Sequence, residues 1–142
     1  MPNKIILTDS CFWLGLIDST DQHHEKSLTV AELIEDHQIL LPWPCLYETV
    51  STHLTRRRKQ LLLFEQLISK SNIKLFDDSR YRDNAFDQLL FLNRQTGFTH
   101  SLTDGVLREI LMDINVNVGY LVTYNNRDFI DICTQRQIEI ID

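Results

Sequence analysis

The sequence predicts an α/β protein, a three-layer α/β/α sandwich with a central, mainly parallel sheet. Three observations predict this class. Short apolar runs recur along the 142 residues, longer segments with helical spacing of apolar residues lie between them, and neither a repeat nor a Gly/Pro-rich linker interrupts the alternation. Strands that alternate with helices form parallel βαβ units, whose helices cover both faces of the sheet. We therefore expect a single domain over residues 1–142.

Five short apolar runs are the predicted strands. Residues 4–8 (KIILT) are continuous, apolar and β-branched, which is typical of a strand buried on both faces. The other four runs are residues 39–41, which end before Pro42, and residues 73–76, 119–123 and 138–141.

Helices are predicted where apolar residues recur every three to four positions. They are residues 24–36, a helix that starts around Pro44, residues 60–69, a helix that ends near Gly97, a helix that begins at Ser101 and an apolar helix after Asp9. The apolar residues predicted to mark these helices are Leu28, Ala31 and Ile34; Leu46, Tyr47, Val50 and Leu54; Phe86, Leu89 and Leu90; and Leu102, Val106, Ile110, Leu111 and Ile114.

Composition excludes several classes of protein. An apolar fraction of 43% and a charged fraction of 24% are those of a folded domain rather than a disordered chain. Cys11, Cys45 and Cys133 are odd in number and lack Cys-x-x-Cys spacing, which argues against a disulfide framework and a zinc ribbon. Because residues 1–9 lack the features of a signal peptide and no apolar run reaches the length of a membrane span, we expect a cytoplasmic protein without a membrane partner.

Oxygen-bearing side chains lie where strands end. Asp9 follows the first predicted strand, Glu48 lies in the helix after the second, Asp104 lies in the first turn of a later helix, and Asn125 and Asp128 follow the fourth strand. Open parallel sheets bind ligands beyond the carboxyl ends of their strands. Mg²⁺ and Mn²⁺ prefer carboxylate, carbonyl and water oxygens, and a pair of such ions can clamp a phosphodiester. The sequence therefore predicts a divalent-metal site at this edge.

Each of these positions also has a purely structural explanation. Asp9 can cap the helix that follows it, and Asp104 lies three residues after Ser101, as in a variant of the capping box. Glu48 points away from the predicted apolar stripe and can simply be solvated, and Asp128 can cap or solvate a turn. No single position decides between the two explanations, so the prediction of a metal site depends on the joint pattern of these residues.

Four segments carry that joint pattern in order. They are ILTDSCFWLGLID with DQHHEKS downstream, LLPWPCLYETVSTHL, HSLTDGVLREIL and LVTYNNRDF, and together they span almost the whole chain. In order and approximate spacing they resemble the PIN-domain ribonucleases, particularly the VapC-type toxins of toxin–antitoxin pairs. The resemblance implies a PIN-like fold and a metal-dependent endoribonuclease, the toxin of a type II pair. It also implies an RNA substrate cut to a 5′-phosphate and a 3′-hydroxyl, a homodimer, and silencing by a small antitoxin.

The resemblance also assigns roles to residues. Asp9, Glu48 and Asp104 take the positions of the three main metal-binding acids of the family, and Asn125 takes the fourth, where many relatives have Asp. Asp9 and Asp104 are expected to anchor the principal Mg²⁺ or Mn²⁺, and Glu48 to hold or orient the attacking water. Asn125 is expected to help position metal or phosphate, and Asp128 is the candidate that supplies the charge an amide lacks.

Two departures from the family pattern motivate an alternative function. Asn125 adds no negative charge, and Cys11 stands where relatives commonly have a small polar residue. A non-catalytic PIN-like domain that binds RNA or protein is therefore the first alternative. The second is a flavodoxin-like phosphoacceptor domain, which also clusters aspartates at strand ends. That class usually has an acidic pair after its first strand, whereas Asp9 stands alone, and no lysine-bearing strand end is found.

One basic run is a candidate RNA contact. The chain carries a net charge of −6, so any contact with nucleic acid has to depend on a local cluster of cations. Arg56, Arg57, Arg58 and Lys59 are the concentrated cluster in the sequence. A solvated junction between helices is the alternative explanation for the same run.

Overall fold

Five parallel strands form the centre of the molecule. A computed structural model describes residues 4–97 and 100–142. The strands are β1 (Ile5–Thr8), β2 (Gln38–Pro42), β3 (Ile73–Phe76), β4 (Tyr120–Val122) and β5 (Glu139–Ile141). They pair in the order β3-β2-β1-β4-β5, and every pairing is parallel. The predicted α/β class is therefore confirmed, and each predicted strand agrees with an observed one to within one residue at either end.

Eight α-helices are present in the two described ranges. They are α1 (Ser10–Ile17), α2 (His24–Ile34), α3 (Trp43–Thr49), α4 (Thr52–Thr55), α5 (Arg58–Ile68), α6 (Arg82–Thr96), α7 (Leu102–Met112) and α8 (Ile130–Arg136), with a 3₁₀ turn at Asn126–Asp128. Helix α1 packs against α2, α3 and α5, and α7 packs against α6 and α8. These groups flank the sheet and complete the three-layer sandwich. No helix among the described residues is both long and apolar enough to cross a membrane.

A buried chain of hydrogen bonds fixes the start of α1 against the sheet. Ile6 and Leu7 of β1 are fully buried, so the polar side chain of Thr8 needs partners inside the core. The Thr8 hydroxyl donates to the Leu40 carbonyl at 2.7 Å and accepts the indole N–H of Trp13 at 2.8 Å. Because Asp9 lies between Thr8 and α1, this network also fixes the backbone of the first predicted site residue.

The strand order creates a crevice above β1. From β1 the chain moves outward to β2 and β3 on one side, whereas β4 and β5 lie on the other side. Such a reversal of strand order is where open α/β sheets bind their ligands. In the flavodoxin-like order, 2-1-3-4-5, β3 pairs with β1. Here β3 pairs with β2, so the phosphoacceptor alternative, which depended on that fold, is wrong.

The helix after β2 differs from its prediction. It was expected to continue from Pro44 through Leu54, but α3 ends at Thr49 and a separate short helix contains Leu54. The Thr49 hydroxyl donates to the Cys45 carbonyl at 2.7 Å, a contact that competes with regular helix geometry. Because α3 ends at Thr49 and α4 begins only at Thr52, the predicted apolar residues do not lie on one continuous helix, and Tyr47 is 75% exposed.

Other differences occur at helix ends and outer faces. Leu102 and Ile114 were predicted in the buried stripe of α7 but are 43% and 67% exposed, because one opens the helix and the other lies beyond its end. Phe86 and Leu90 on α6 are also exposed. Helix α8 was not predicted, since its seven residues are too few to show a clear apolar period.

Candidate metal centre

Asp9 is a buried carboxylate at the carboxyl end of β1. Its side chain is the N-cap of α1, and Oδ1 accepts the backbone N–H of Ser10 at 2.8 Å. Oδ2 accepts the Thr123 hydroxyl at 3.0 Å, and the Asp9 N–H donates to the Val122 carbonyl at 3.0 Å. The residue is only 6% exposed. Asp9 can therefore cap α1 and also bind a cation, because each of its carboxylate oxygens can accept more than the one close hydrogen bond that it makes.

Glu48 lies beside Asp9 because α3 starts from the same edge of the sheet. The Ser10 hydroxyl donates to Glu48 Oε1 at 2.8 Å, so Ser10 contacts both carboxylates. One potential ligand atom from each of Asp9, Cys45 and Glu48 lies within 4.8 Å of the other two. Burial, followed by the charges of Asp9 and Glu48, raises the pKa of the Cys45 thiol well above its ordinary value. The thiol is therefore neutral, and carboxylate oxygens are the effective donors.

Asp104 faces these acids from α7. Its backbone N–H donates to the Ser101 hydroxyl at 3.1 Å, as the capping explanation predicted. Burial raises the pKa of the Asp104 carboxyl to about 6, with further increases from the charges of Asp9, Asp128 and Glu48. Within the described part of the chain, the 4.8 Å cluster does not include Asp104. It is therefore coupled to the other acids by electrostatic repulsion rather than by direct contact.

Asn125 and Asp128 occupy the turn after β4. The Asn125 N–H donates to the Thr123 hydroxyl at 3.1 Å, and the Asn125 amide nitrogen, Nδ2, donates to Asp128 Oδ2. The charge of Asp128 also contributes to the raised pKa of Asp104, so this turn faces α7. The fold thus brings all five predicted site residues to one edge of the sheet. Asn125 and Asp128 are hydrogen-bonded directly, Asp9 and Glu48 both contact Ser10, and Asp104 is coupled to the other acids through their charges.

Two hydroxyl residues at this edge, Ser10 and Thr123, were not predicted to take part, whereas Cys11 was singled out from the sequence. Thr123 is fully buried and connects Asp9 to Asn125, and Ser10 connects Asp9 to Glu48. The only sequence signal for them is a hydroxyl residue next to each strand end. Cys11 accepts the Tyr124 N–H at 3.4 Å, and burial followed by the charge of Asp9 raises its pKa to about 11. A neutral sulfur therefore fills the position of the usual small polar residue.

The basic run lies away from the acids. Arg57 pairs with Asp18 at 2.9 Å, whereas Arg56, Arg58 and Lys59 carry no ion pair among the described residues. Asp18 follows the end of α1, and Asp9 precedes its start. A helix of eight residues is about 12 Å long, so Arg57 contacts α1 about that far from Asp9.

The donor set fits a hard divalent cation. Carboxylate and amide oxygens are the ligands preferred by Mg²⁺ and Mn²⁺, and the neighbouring thiols are held in the neutral form. The repulsion that raises the pKa of Asp104 is also the kind that a bound cation relieves. Asp9 and Glu48 form the acidic cluster that can hold such an ion.

Comparison with known proteins identifies the fold. No family model matches the sequence, and no curated protein matches it. VapC20 from Mycobacterium tuberculosis, a sarcin–ricin loop cleaving toxin, superposes with a TM-score of 0.68 at 14% identity, over 89% of this chain and 94% of that chain. VapBC2 from Rickettsia felis, bound to a DNA fragment from their promoter, gives 0.61 at 19% identity, and FitAcB from Neisseria gonorrhoeae gives 0.61 at 11%. Each of these two superpositions covers 96% of both chains. The chain thus shares its PIN-like α/β/α fold with VapC20, VapBC2 and FitAcB.

Proposed function

We propose that this chain is a metal-dependent endoribonuclease that hydrolyses RNA phosphodiester bonds, the toxin of a type II toxin–antitoxin pair. One observation carries the proposal. Asp9, Glu48 and Asp104 come from three separate helix or strand ends, yet they converge on the crevice of a parallel sheet, where burial, followed by the charges of the neighbouring carboxylates, raises the pKa of Asp104 to about 6. A fold tolerates such a concentration of charge most readily where it serves a cation.

The roles of the residues follow from their contacts. A divalent cation, Mg²⁺ or Mn²⁺, would supply charge neutralisation of the phosphate and a more acidic water. Asp9 is fixed by Ser10 and Thr123, so it provides the rigid anchor, and Asp104 joins it from α7. Glu48 is exposed apart from its bond to Ser10, which suits a group that orients the attacking water. Water attacks phosphorus, the P–O3′ bond breaks, and a proton reaches the departing 3′-oxygen.

The substrate class that we propose is RNA, and the location that we propose for the enzyme is the cytoplasm. VapC20, whose fold this chain shares, is a sarcin–ricin loop cleaving toxin, so that loop is the first RNA to test. Because Arg57 contacts α1 about the length of that helix away from Asp9, residues of the basic run would contact phosphates one or two nucleotides from the scissile bond. Arg57 is already paired with Asp18, which leaves Arg56, Arg58 and Lys59 as the candidate contacts.

The partners we propose are a small antitoxin and a second copy of the chain. An open apolar groove of about 550 Å³ runs between α3 and α5 and is lined by Trp43, Leu46, Tyr47, Val50, Leu61, Phe64, Glu65 and Ile68. Tyr47 precedes Glu48 on the same helix, so an antitoxin segment in this groove would lie beside the acidic cluster. An adjacent reading frame for a small DNA-binding protein is the feature to look for in the genome.

Cleavage assays on purified protein test the proposal. We expect cutting of the sarcin–ricin loop, or of an RNA in a mixed panel, only when Mg²⁺ or Mn²⁺ is added. Asp9→Asn and Asp104→Asn should each lower the cleavage rate by more than the about 10–100-fold that is typical for residues that only orient a metal ligand. Asp77→Asn is the matched control, since Asp77 also directly follows a strand but caps Ser79 outside the cluster.

Three outcomes discriminate between the hypotheses. Metal-dependent cutting that both site variants lose and the control retains supports the nuclease. Cutting that persists in both site variants comes from a contaminant and refutes the site. RNA binding without cutting by any variant, across the panel and with both metals, favours the non-catalytic PIN-like domain that Asn125 and Cys11 motivated.

A further inference from the structure

Arg108 connects the two halves of the candidate metal centre. It lies on α7 one turn after Asp104, and its side chain is 25% exposed. Its Nη1 donates to the backbone carbonyl of Asp128 at 2.8 Å. The two terminal nitrogens also bind the two carboxylate oxygens of Asp131 at 2.8 Å each, a bidentate pair. One side chain thus ties the helix of Asp104 to the turn that carries Asn125 and Asp128.

The hydrogen bond between Asn125 and Asp128 determines which end of the Asn125 side-chain amide can bind a cation. An ionised carboxylate can only accept hydrogen bonds, so Asn125 has to present its NH₂ group to Asp128. Its other end, the carbonyl oxygen Oδ1, is then turned away from Asp128. Oδ1 is the atom of an asparagine that can bind a cation or a cation-bound water. The orientation of Asn125 therefore depends on where Asp128 is held.

We propose that Arg108 is a positioning residue, which holds the Asn125–Asp128 turn at a fixed distance from Asp104 so that the Asn125 carbonyl oxygen faces the metal centre. This inference rests on the proposed metal-dependent function. It also assigns Asp128 a role beside charge compensation, because its carboxylate accepts the Asn125 amide and its backbone carbonyl accepts Arg108.

Contacts from outside hold the turn: the Thr123 hydroxyl accepts the Asn125 N–H, Asn126 donates to the Asp142 carboxylate, and Arg108 donates to the Asp128 carbonyl. Asn126–Asp128 is a single 3₁₀ turn of three residues, and its N-terminal end has no side-chain cap. Asp131, the partner of Arg108 in the ion pair, is 66% exposed, and ion pairs of this kind add little to global stability. The hydrogen bond from Arg108 to the Asp128 carbonyl, rather than the ion pair with Asp131, therefore holds the turn near α7. A lysine has a single ammonium group and cannot satisfy the Asp131 carboxylate and the Asp128 carbonyl with the same fork of donors.

Calorimetric titration of the full chain with Mn²⁺ tests the inference independently of catalysis. Residues that orient metal ligands typically change metal affinity by about 10–100-fold when replaced. We expect Arg108→Met to weaken Mn²⁺ binding by about tenfold and Arg108→Lys, which keeps one donor, by about threefold. Asp131→Asn should have little effect, since Arg108 keeps its bond to Asp128. Arg82→Gln, which removes a different arginine–aspartate ion pair, the one with the buried Asp78, is the control and should bind as the wild type does.

The pattern across variants separates positioning from a structural role. The Mn²⁺ concentration for half-maximal cleavage should rise by the same factor as the dissociation constant, while the maximal rate recovers at saturating Mn²⁺. If Arg108→Met folds and binds Mn²⁺ as tightly as the wild type does, the inference is overturned. If Arg108→Met does not fold, wild-type Mn²⁺ affinity in Arg108→Lys overturns it instead. A wild-type protein that binds Mn²⁺ but cuts no RNA refutes the proposed function alone. A wild-type protein that binds no Mn²⁺ overturns both.

Discussion

Replacing Asp104 by asparagine should stabilise the metal-free protein while it abolishes cleavage. The half-buried carboxyl has a pKa of about 6 instead of its ordinary 3.8, first because of burial and then because of the charges of Asp9, Asp128 and Glu48. The folded protein therefore holds this proton more tightly than the unfolded chain does. By linkage, the free energy of unfolding of the protein falls as pH rises from about 4 to about 6. At neutral pH the folded protein is destabilised by the full effect of the ionised Asp104.

The magnitude follows from the two pKa values. At about 1.4 kcal/mol for each tenfold change in proton affinity, the difference corresponds to about 3 kcal/mol before screening. Partial exposure to solvent reduces this to roughly half. Loss of a negative charge at the start of α7 removes a further ~0.5 kcal/mol of favourable helix-dipole interaction. We therefore expect Asp104→Asn to gain about 1 kcal/mol, or about 3 °C in Tm for a chain of this size.

Thermal unfolding at several pH values measures this effect. The Tm advantage of Asp104→Asn in chelator should be present at pH 7 and disappear near pH 4, where Asp104 of the wild type is also protonated. Added Mn²⁺ should raise the Tm of the wild type more than that of the variant, since only the wild type keeps the ligand. Asp113→Asn is a control for which we expect the opposite effect on stability. The hydrogen bond from the Tyr81 hydroxyl lowers the pKa of Asp113, so replacing this carboxylate by a neutral amide should destabilise the protein. An Asp104→Asn protein that is no more stable at pH 7, or whose advantage is independent of pH, would refute the electrostatic reasoning.

Three further predictions test the surroundings of the centre. Thr123→Val removes the hydrogen bonds of the buried hydroxyl to Asp9 and Asn125, and should lower cleavage by about tenfold; activity equal to wild type would show that Thr123 does not orient Asp9. Gly15→Ala should cost about 1–2 kcal/mol in urea unfolding, because the new Cβ would lie 2.5 Å from Ser27 Oγ and disturb its bond to Tyr124; unchanged stability would contradict this. The double variant Arg58→Ala/Lys59→Ala should weaken RNA binding and flatten the plot of log affinity against log salt by about 2, and an unchanged slope would exclude the basic run as a phosphate contact.

Local pattern was enough to predict the strands and most helices. A run such as residues 4–8 is apolar, β-branched and short, and these properties belong to the segment itself. The same holds for Ser101, whose hydroxyl caps α7 in the structure as its position before an apolar period indicated. The errors occurred at helix ends and outer faces, as at α3, which ends at Thr49 although its apolar residues were expected to continue to Leu54.

The sequence by itself determined which oxygen-bearing residues follow strands and start helices, because those positions depend on neighbours only a few residues away. The tertiary structure alone decided how they are joined. Thr123 lies 114 positions from Asp9 along the chain, and the two meet only because β4 pairs with β1. The contact from Arg108 to Asp128 and the raised pKa of Asp104 likewise depend on groups that the fold brings together from separate segments. Electrostatic and hydrogen-bond energies depend on distance in space, and that distance is set by the sheet rather than by spacing along the chain.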